Sequence, residues 1–180
     1  MPKTALIIID IQNDYFPGGA MALSKPMEAA HKAQQVLEYF RNTQQTVVHI
    51  AHENINPEQP FMLANTEGQQ IHSSVWPIED ETVIKKHYPN AFWQTDLEQV
   101  LRDAKIKSVM LLGMMTHMCV STTARAAMER GFNVTIVVDA CATQDLQYDG
   151  KAINAEIVHK TALAELLMLS KLVTTNEVIG

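Results

Sequence analysis

The sequence is poor in cysteine and lacks a recognisable export signal. Its 180 residues contain only 2 cysteines, Cys119 and Cys141. The N-terminus has neither the charged start nor the small-residue cleavage site of a signal peptide. We therefore expect a reducing, cytoplasmic location, in which no structural disulfide forms and both thiols stay free for chemistry.

Several other features are absent. The formal net charge is −6 at pH 7 and the basic residues are scattered, so no basic stripe is available for nucleic acid or anionic lipid. The apolar run near the N-terminus is too short to span a bilayer. Neither GxGxxG nor a GxxxxGKS-type or GxxxxGKT-type loop occurs, so a nucleotide would find no phosphate cradle. These absences predict no nucleic-acid or membrane partner and leave a small molecule as the expected substrate.

The composition that remains is that of a globular protein. Hydrophobic residues make up 47% of the chain and charged residues 19%, with no low-complexity tract and no internal repeat. A chain of this length is typical of one domain, which we assign to residues 1–180.

Short apolar runs rich in β-branched residues predict six strands. The runs are TALIIIDI, TVVHIAH, TVIKK, SVMLLGM, NVTIVVDA and the weaker KLVTTNEV. Near-continuous hydrophobic strands are typical of a parallel sheet buried on both faces. Helical periodicity lies between most of them, over residues 24–44, 95–104, 121–130 and 152–170, with Thr95 as the expected N-cap of the second helix. The pattern predicts an α/β protein with three α/β/α layers.

One connection departs from this alternation. Residues 53–81, between the second and third strands, are rich in proline and have no clear period. A long irregular insertion in a compact domain is often a binding loop. We expect this loop to help select the substrate.

Three chemically reactive side chains follow three of the predicted strands. In open parallel sheets, ligands bind at the carboxyl ends of the strands. The first predicted strand ends at Asp10, the third ends at Lys86, and the fourth leads into Cys119. Each alone could serve a structural role, as a turn cap, a solvated lysine or a small buried hydrophobe. Together they indicate a reactive site, because a buried Asp10 would need a cation such as Lys86.

The surroundings of Cys119 favour a nucleophile. A cysteine near a helix N-terminus and a cation has a lowered pKa, so we expect thiolate near neutral pH. Asp10 can act as general base, Lys86 can keep Asp10 ionised, and backbone N–H groups of the turn can bind an oxyanion. Cys141 has no comparable helix start or basic neighbour, so Cys119 is the predicted nucleophile.

At these residues the chain resembles the isochorismatase-like cysteine hydrolase superfamily, which includes nicotinamidases and N-carbamoylsarcosine amidase. The resemblance covers nearly the whole chain, through the segments LIIIDIQNDYFPGG, VIKKHYPNAFWQTDL and GMMTHMCVSTTARAAMERGFNVTIVVDACAT. It implies a Rossmann-like six-stranded parallel sheet in the order 3-2-1-4-5-6. It also implies an Asp–Lys–Cys catalytic triad at Asp10, Lys86 and Cys119.

The resemblance carries further expectations. Lys86 rather than Lys85 matches the family lysine, because it stands four residues before Asn90. A cis peptide is expected at Met114–Met115, with the Met115 and Cys119 amides directed at the oxyanion. Members of the family often form oligomers that complete their sites at interfaces, so we expect a homo-oligomer, either a dimer or a tetramer.

The chain departs from the nicotinamidases at the metal site. Those enzymes bind a metal through an Asp-x-His pair after the second strand, where this chain has His52 and Asn54. His49 and His52 lie three residues apart, which places them on opposite faces of a regular strand. We therefore expect no metal, no other cofactor, and a main substrate other than nicotinamide.

Other polar and aromatic residues are weaker candidates for the substrate pocket. For the aromatic ones a packing role is equally open, and His52 could instead be a solvated histidine at a strand end. The candidate substrate-binding residues are Asn13, Phe16, His52, Trp76, Asn90, Phe92 and His117.

These observations predict a metal-independent cysteine hydrolase. The Cys119 thiolate would attack the carbonyl carbon of a small amide or ureido compound, the amine or ammonia would leave, and water would cleave the resulting thioester. One alternative is vinyl-ether hydrolysis of the isochorismate type, which needs the acid but no thiol. A second alternative is a catalytically silent binding protein on the same fold, which would need no intact triad.

Overall fold

The computed structural model describes residues 3–56 and 58–180, and Met1, Pro2 and Pro57 lie outside the described residues. Its main sheet has six strands, which are all parallel. They are β1 (Thr4–Ile9), β2 (Thr46–His52), β3 (Thr82–Lys86), β4 (Ser108–Met114), β5 (Asn133–Ala142) and β8 (Lys171–Val173). The spatial order is β3-β2-β1-β4-β5-β8, which confirms the predicted 3-2-1-4-5-6 sheet, with β8 as its sixth strand.

Burial of the strands follows from their residue types. In β1, residues 5–9 are at most 2% exposed, as expected for a central strand covered on both faces. The edge strand β3 alternates instead: Val83 and Lys85 are exposed, whereas Ile84 and Lys86 are buried. Because successive side chains of a strand point to opposite faces, this alternation separates Lys86 from Lys85.

Helices cover the two faces of the sheet. They are α1 (Pro26–Asn42), α2 (Leu97–Asp103), α3 (Ser121–Glu129), α4 (Ala155–Leu166) and α5 (Thr175–Ile179). The helix α1 packs against β5 and α5, and α3 packs against α4. The chain moves from β1 to β2 in one direction and from β4 to β5 in the other. Right-handed crossovers in opposite directions place their helices on opposite faces, which produces the three layers.

The structure corrects several details of the predicted elements. A short antiparallel hairpin, β6 (Leu146–Tyr148) and β7 (Lys151–Ile153), precedes α4. Its turn residues Asp149 and Gly150 both have positive φ, which matches the Asp-Gly preference of tight hairpins. The predicted last strand is wrong beyond residue 173, because the chain turns into α5 through a capping box at Thr174.

The start of α2 also differs from the prediction. Its N-cap is Asp96, and the Thr95 hydroxyl donates instead to the carbonyl of Ala91. Thr95 still accepts a long hydrogen bond of 3.4 Å from the N–H of Leu97. Among the residues that the structure describes, no helix is long and apolar enough to cross a membrane.

Candidate active site

The three predicted catalytic residues stand at the carboxyl ends of adjacent strands. Asp10 follows β1 with a φ of 49°, a conformation that aspartate tolerates better than most residues, and its N–H donates to the carbonyl of Ile50 over 3.0 Å. Lys86 is the last residue of β3. Cys119 lies in a π-helical turn (Thr116–Val120) that joins β4 to α3, and such turns are frequent at functional sites.

Gly113 allows β4 to reach the end of β1. Its φ is 129°, and a Cβ at this position would lie 2.0 Å from the carbonyl oxygen of Ile9. Side chains rarely adopt this backbone conformation, and no carbon atom fits at that distance. A glycine is therefore required where the nucleophile turn leaves the sheet beside Asp10.

The side chains of the triad are in contact inside the protein. The ammonium Nζ of Lys86 lies 2.7 Å from Oδ2 of Asp10 and 3.3 Å from Sγ of Cys119. Asp10 is 0% exposed, Lys86 1% and Cys119 6%. Neither carboxylate oxygen of Asp10 makes a hydrogen bond of regular geometry among the residues described. Oδ2 is held by the ion pair with Lys86, and Oδ1 is free to accept a proton. Lys85 points away and pairs with Glu53 over 2.6 Å, in agreement with the choice of Lys86.

The prediction of a lowered thiol pKa at Cys119 is wrong for the resting site. Burial and the negative charge of Asp10 raise the pKa of Cys119 to about 12, although Lys86 acts in the opposite direction. Burial also raises the pKa of Cys141 to about 12, and the thiol of Cys141 donates to the carbonyl of Val137. Cys119 is therefore a neutral thiol at rest, and it would have to lose its proton to act as a nucleophile.

Lys86 keeps its charge in spite of burial. Burial lowers the pKa of Lys86, but the negative charges of Asp10 and of the Cys119 thiolate form raise it further, so the net change is upward. An ammonium group is consequently fixed between the carboxylate and the sulfur. This arrangement favours any state in which a second negative charge develops on Cys119.

The nucleophile turn has the expected peptide geometry. The Met114–Met115 bond is cis. The carbonyl of Met115 accepts from the N–H groups of Met118 and Val120, over 3.1 and 3.2 Å. These bonds hold the turn as one unit at the end of β4. Binding of an oxyanion by the Met115 and Cys119 amides stays a prediction.

His52 lies beside the triad. Its Nδ1 is 3.1 Å from Nζ of Lys86, and its ring is parallel to that of Phe61 with centroids 6.2 Å apart. Burial and the Lys86 charge lower the pKa of His52 to about 4, so the imidazole is neutral at physiological pH. Of the two readings left open by the sequence, this position favours a role in the site over that of a solvated histidine.

Three of the other predicted pocket residues share one cavity. Asn13, Phe16 and Trp76 all line a cavity of about 620 Å³ between residues 13–19 and the loop from 67 to 76. Phe16 stacks on His72 at 3.7 Å between ring centroids, and Trp76 is 56% exposed. The lining of this cavity does not include the triad. The triad itself is buried, and it lies outside the lining of this cavity.

The remaining candidates have other partners. Phe92 is 6% exposed and packs against Phe132 with the Arg130 guanidinium over its ring. These contacts place the ring in the core, and its role in substrate binding stays a prediction. The Asn90 side chain accepts from the Phe92 N–H and shapes the turn after β3. His117 is 2.6 Å from the Thr143 hydroxyl, which ties the nucleophile turn to the end of β5.

Two residues near the site escaped sequence reasoning. Tyr15 is 2% exposed, and burial together with the charges of Cys119 and Asp10 raises its pKa well above the usual value. Gln12 is fully buried and hydrogen-bonds the main chain of both His52 and Gln69. Both belong to the segment QNDYF, which begins two residues after Asp10. This closeness to Asp10 was the feature of the sequence that could have indicated their place in the site.

The residues at the nicotinamidase-type metal position do not fit a metal ion. The Nδ1 atom of His52, a possible ligand, faces the Lys86 ammonium, and a cation there would be repelled. The Asn54 side chain donates to the carbonyl of Gln59 and accepts from the N–H of Asn56. Among the described residues, no group of three or more His, Cys, Asp or Glu side chains is placed to hold a metal.

Comparison with known proteins assigns the chain to a family. The family model of the isochorismatase domain matches residues 4–177. The chain is 47% identical over 174 residues to YddQ of Bacillus subtilis, an uncharacterised isochorismatase family protein, and the match covers 97% of each chain. It is 32% identical over 163 residues to the secreted isochorismatase effector Isc1 of Verticillium dahliae, covering 91% of this chain and 83% of Isc1.

A solved structure and a more distant relative extend the comparison. A provisionally assigned isochorismatase hydrolase from Oleispira antarctica superposes with a TM-score of 0.95 at 39% identity, covering 99% of this chain and 96% of that one. A streptothricin hydrolase of Streptomyces noursei is 30% identical over 145 residues, covering 81% of this chain and 56% of its own length. The chain therefore belongs to the isochorismatase family and is an isochorismatase-like hydrolase.

Proposed function

We propose that the protein is a cysteine-dependent hydrolase that cleaves a carbon–nitrogen bond, of the amide or ureido type, in a small molecule. The observation that carries the proposal is the buried contact of three groups, in which one ammonium touches both the Asp10 carboxylate and the Cys119 sulfur. A nucleophile beside an orienting charge and a proton acceptor is the arrangement that covalent catalysis requires.

Asp10 acts as the base. Its free Oδ1 takes the thiol proton as Sγ of Cys119 bonds to the substrate carbonyl carbon. The carbonyl electron pair moves to oxygen, and we assign the Met115 and Cys119 amides to bind that oxyanion. As the tetrahedral intermediate collapses, the carbon–nitrogen bond breaks and the proton held by Asp10 passes to the leaving nitrogen. A thioester and a free amine or ammonia result.

Water completes the cycle. Asp10, ionised again, accepts a proton from water as the water oxygen attacks the thioester carbon. The carbon–sulfur bond then breaks, and the thiolate that leaves recovers the proton from Asp10. Lys86 stays charged throughout and stabilises each state in which the sulfur carries negative charge. Since the resting thiol has a raised pKa, proton transfer to Asp10 is coupled to attack.

The relatives support this chemistry unequally. The streptothricin hydrolase of Streptomyces noursei is a hydrolase by name and shares 30% identity with this chain, whereas Isc1 is an isochorismatase by name at 32%. Vinyl-ether hydrolysis by Asp10 alone is therefore the second candidate. The thiol in contact with Lys86 favours the covalent route, because protonation of a double bond would leave Cys119 without a role.

Intact-mass spectrometry with a panel of small amides and ureido compounds tests the proposal. The wild type and Cys141→Ala should turn over a common substrate and pass through an acyl adduct, whereas Cys119→Ala should be inactive and should form none. Asp10→Asn should also be inactive and free of adduct, because asparagine cannot pass the thiol proton on to the leaving nitrogen. If Cys119→Ala keeps most of the rate while Asp10→Asn is inactive, the vinyl-ether route replaces the covalent one.

Two further expectations accompany the proposal. We propose a homo-oligomer, dimer or tetramer, and a cytoplasmic location, neither of which enters the mechanism. If the wild type binds compounds from the panel yet converts none of them, a silent binding protein becomes the better description.

A further inference from the structure

The Lys86 ammonium carries three N–H donors, and three acceptor atoms surround it: it hydrogen-bonds His52 and Cys119 and forms an ion pair with Asp10. Oδ2 of Asp10 lies at 2.7 Å, Nδ1 of His52 at 3.1 Å and Sγ of Cys119 at 3.3 Å. The lysine is 1% exposed, so water cannot readily replace a missing acceptor. A buried N–H without a partner would carry the full cost of its desolvation.

The contact defines the proton position on His52. An ammonium only donates, so Nδ1 must be the acceptor and the single ring proton must sit on Nε2. The charged and titratable groups around this ring are Lys86, Asp10, His87 and Glu53. Burial and Lys86 have the largest effects and both favour the neutral ring, which is the form able to accept the hydrogen bond.

The backbone holds His52 in position for this contact. His52 and Lys86 are direct partners in the pairing of β2 with β3. The Gln12 side chain accepts from the His52 N–H over 2.8 Å and donates to the His52 carbonyl over 2.8 Å. Gln12 also donates to the carbonyl of Gln69 over 2.6 Å. The end of β2 is thus anchored to both the end of β1 and the loop from 53 to 81.

We propose that His52 is a positioning residue of the active site, which accepts the third N–H of Lys86 and thereby directs the other two at Asp10 and Cys119. This inference rests on the proposed function for its kinetic consequences. In the resting site Lys86 then has no donor left for a substrate, so its role is confined to orienting the base and stabilising charge on the sulfur.

Two substitutions separate the acceptor from the bulk of the ring. His52→Asn keeps an oxygen acceptor close to the position of Nδ1, whereas His52→Leu keeps similar volume without an acceptor. We expect His52→Leu to lose about 100-fold in kcat with KM nearly unchanged, because a small misplacement of catalytic groups costs that much. His52→Asn should recover most of the loss. His31→Leu on the exposed face of α1 is the control and should match the wild type.

Nitrogen-15 spectra of the histidine rings provide a readout that needs no substrate. At pH 7 His52 should be the neutral tautomer with its proton on Nε2. A proton on Nδ1, or an imidazolium, would overturn the proposal, as would a His52→Leu enzyme with wild-type kcat or a His52→Asn enzyme no better than the leucine variant. Thermal unfolding checks that both variants fold. If the wild type converts no compound of the panel, the proposed function fails while the spectra still decide the role of His52.

Discussion

The buried ion pair of Asp10 and Lys86 leads to a sharp prediction about stability. Lys86→Met retains an unbranched apolar side chain but removes the cation, so the Asp10 carboxylate is left buried with 0% exposure and no cationic partner. Breaking a buried pair from one side typically costs about 3–5 kcal/mol. Because Oδ1 of Asp10 already lacks a hydrogen-bond partner within the described chain, we expect a loss in this range.

A double variant tests the electrostatic origin of that loss. Asp10→Asn with Lys86→Met removes both charges, and asparagine tolerates the positive φ of this position. We expect the double variant to be more stable than Lys86→Met alone, because the uncompensated charge has gone. Lys85→Met is the matched control. The Lys85 side chain is 55% exposed and pairs with Glu53 at the surface, so its loss should cost about 0–1 kcal/mol.

Urea denaturation followed by circular dichroism measures five proteins: the wild type, Lys86→Met, Asp10→Asn, the double variant and Lys85→Met. A domain with about 5–15 kcal/mol of stability should leave Lys86→Met folded in the absence of urea. The reasoning is refuted if Lys86→Met costs no more than Lys85→Met. It is also refuted if the two substitutions of the double variant simply add, since the cost would then arise from packing and not from an isolated charge.

Three further predictions concern pH, thiol reactivity and the backbone. Burial lowers the pKa of five histidines in the folded protein, which are His49, His52, His72, His117 and His159. Below pH 6.5 the unfolded chain therefore binds more protons than the folded one. We expect the free energy of unfolding to fall as the pH drops from 7 to 5. Denaturation at several pH values measures the slope, to which one such histidine adds on the order of 1 kcal/mol per pH unit, and a flat profile would contradict the assignment. Iodoacetamide should label both cysteines slowly at pH 7, because the pKa of each thiol is raised to about 12. Asp10→Asn should speed the labelling of Cys119 but not of Cys141, because it removes a negative charge that raises the pKa of Cys119. Peptide mass spectra measure both rates. Gly113→Ala should lower the free energy of unfolding by about 2–4 kcal/mol in the same denaturation assay, because the methyl group would collide with the Ile9 carbonyl. Gly131→Ala is the control: this residue also has a positive φ but lies in open space, so the substitution should cost only about 1 kcal/mol. Equal costs at the two positions would contradict the steric argument.

Features that depend on local pattern were predictable from the sequence. The β-branched runs predicted the strands of the parallel sheet, because strands buried on both faces are nearly continuous in hydrophobicity. The positions of Asp10, Lys86 and Cys119 at strand ends followed from those runs and from the motifs around them. Smaller elements were harder: the Asp-Gly signal of the β6–β7 hairpin was present in the sequence, but it lay beside a longer helical period that dominated the interpretation.

The electrostatics of the site required the tertiary structure. The direction of the Cys119 pKa shift is a balance between burial, Asp10 and Lys86, and each contribution depends on distances between residues more than thirty positions apart. The sequence indicated a helix start and a cation, which lower the pKa of a nearby thiol. It did not reveal how deeply Cys119 is buried, and burial raises that pKa more strongly. The same holds for Phe92, whose side chain was assigned to the core by contact with Phe132, far along the chain.

His52 illustrates the difference between what the local sequence determines and what only the tertiary structure determines. The amino-acid sequence alone determines that a histidine ends β2 and a lysine ends β3, since both belong to local apolar patterns. Only the register of the sheet makes them direct partners, and only the packing of β1 and the loop around Gln12 brings Nδ1 within 3.1 Å of the ammonium. Local order follows from short-range periodicity, whereas a catalytic contact depends on long-range pairing that no single segment encodes.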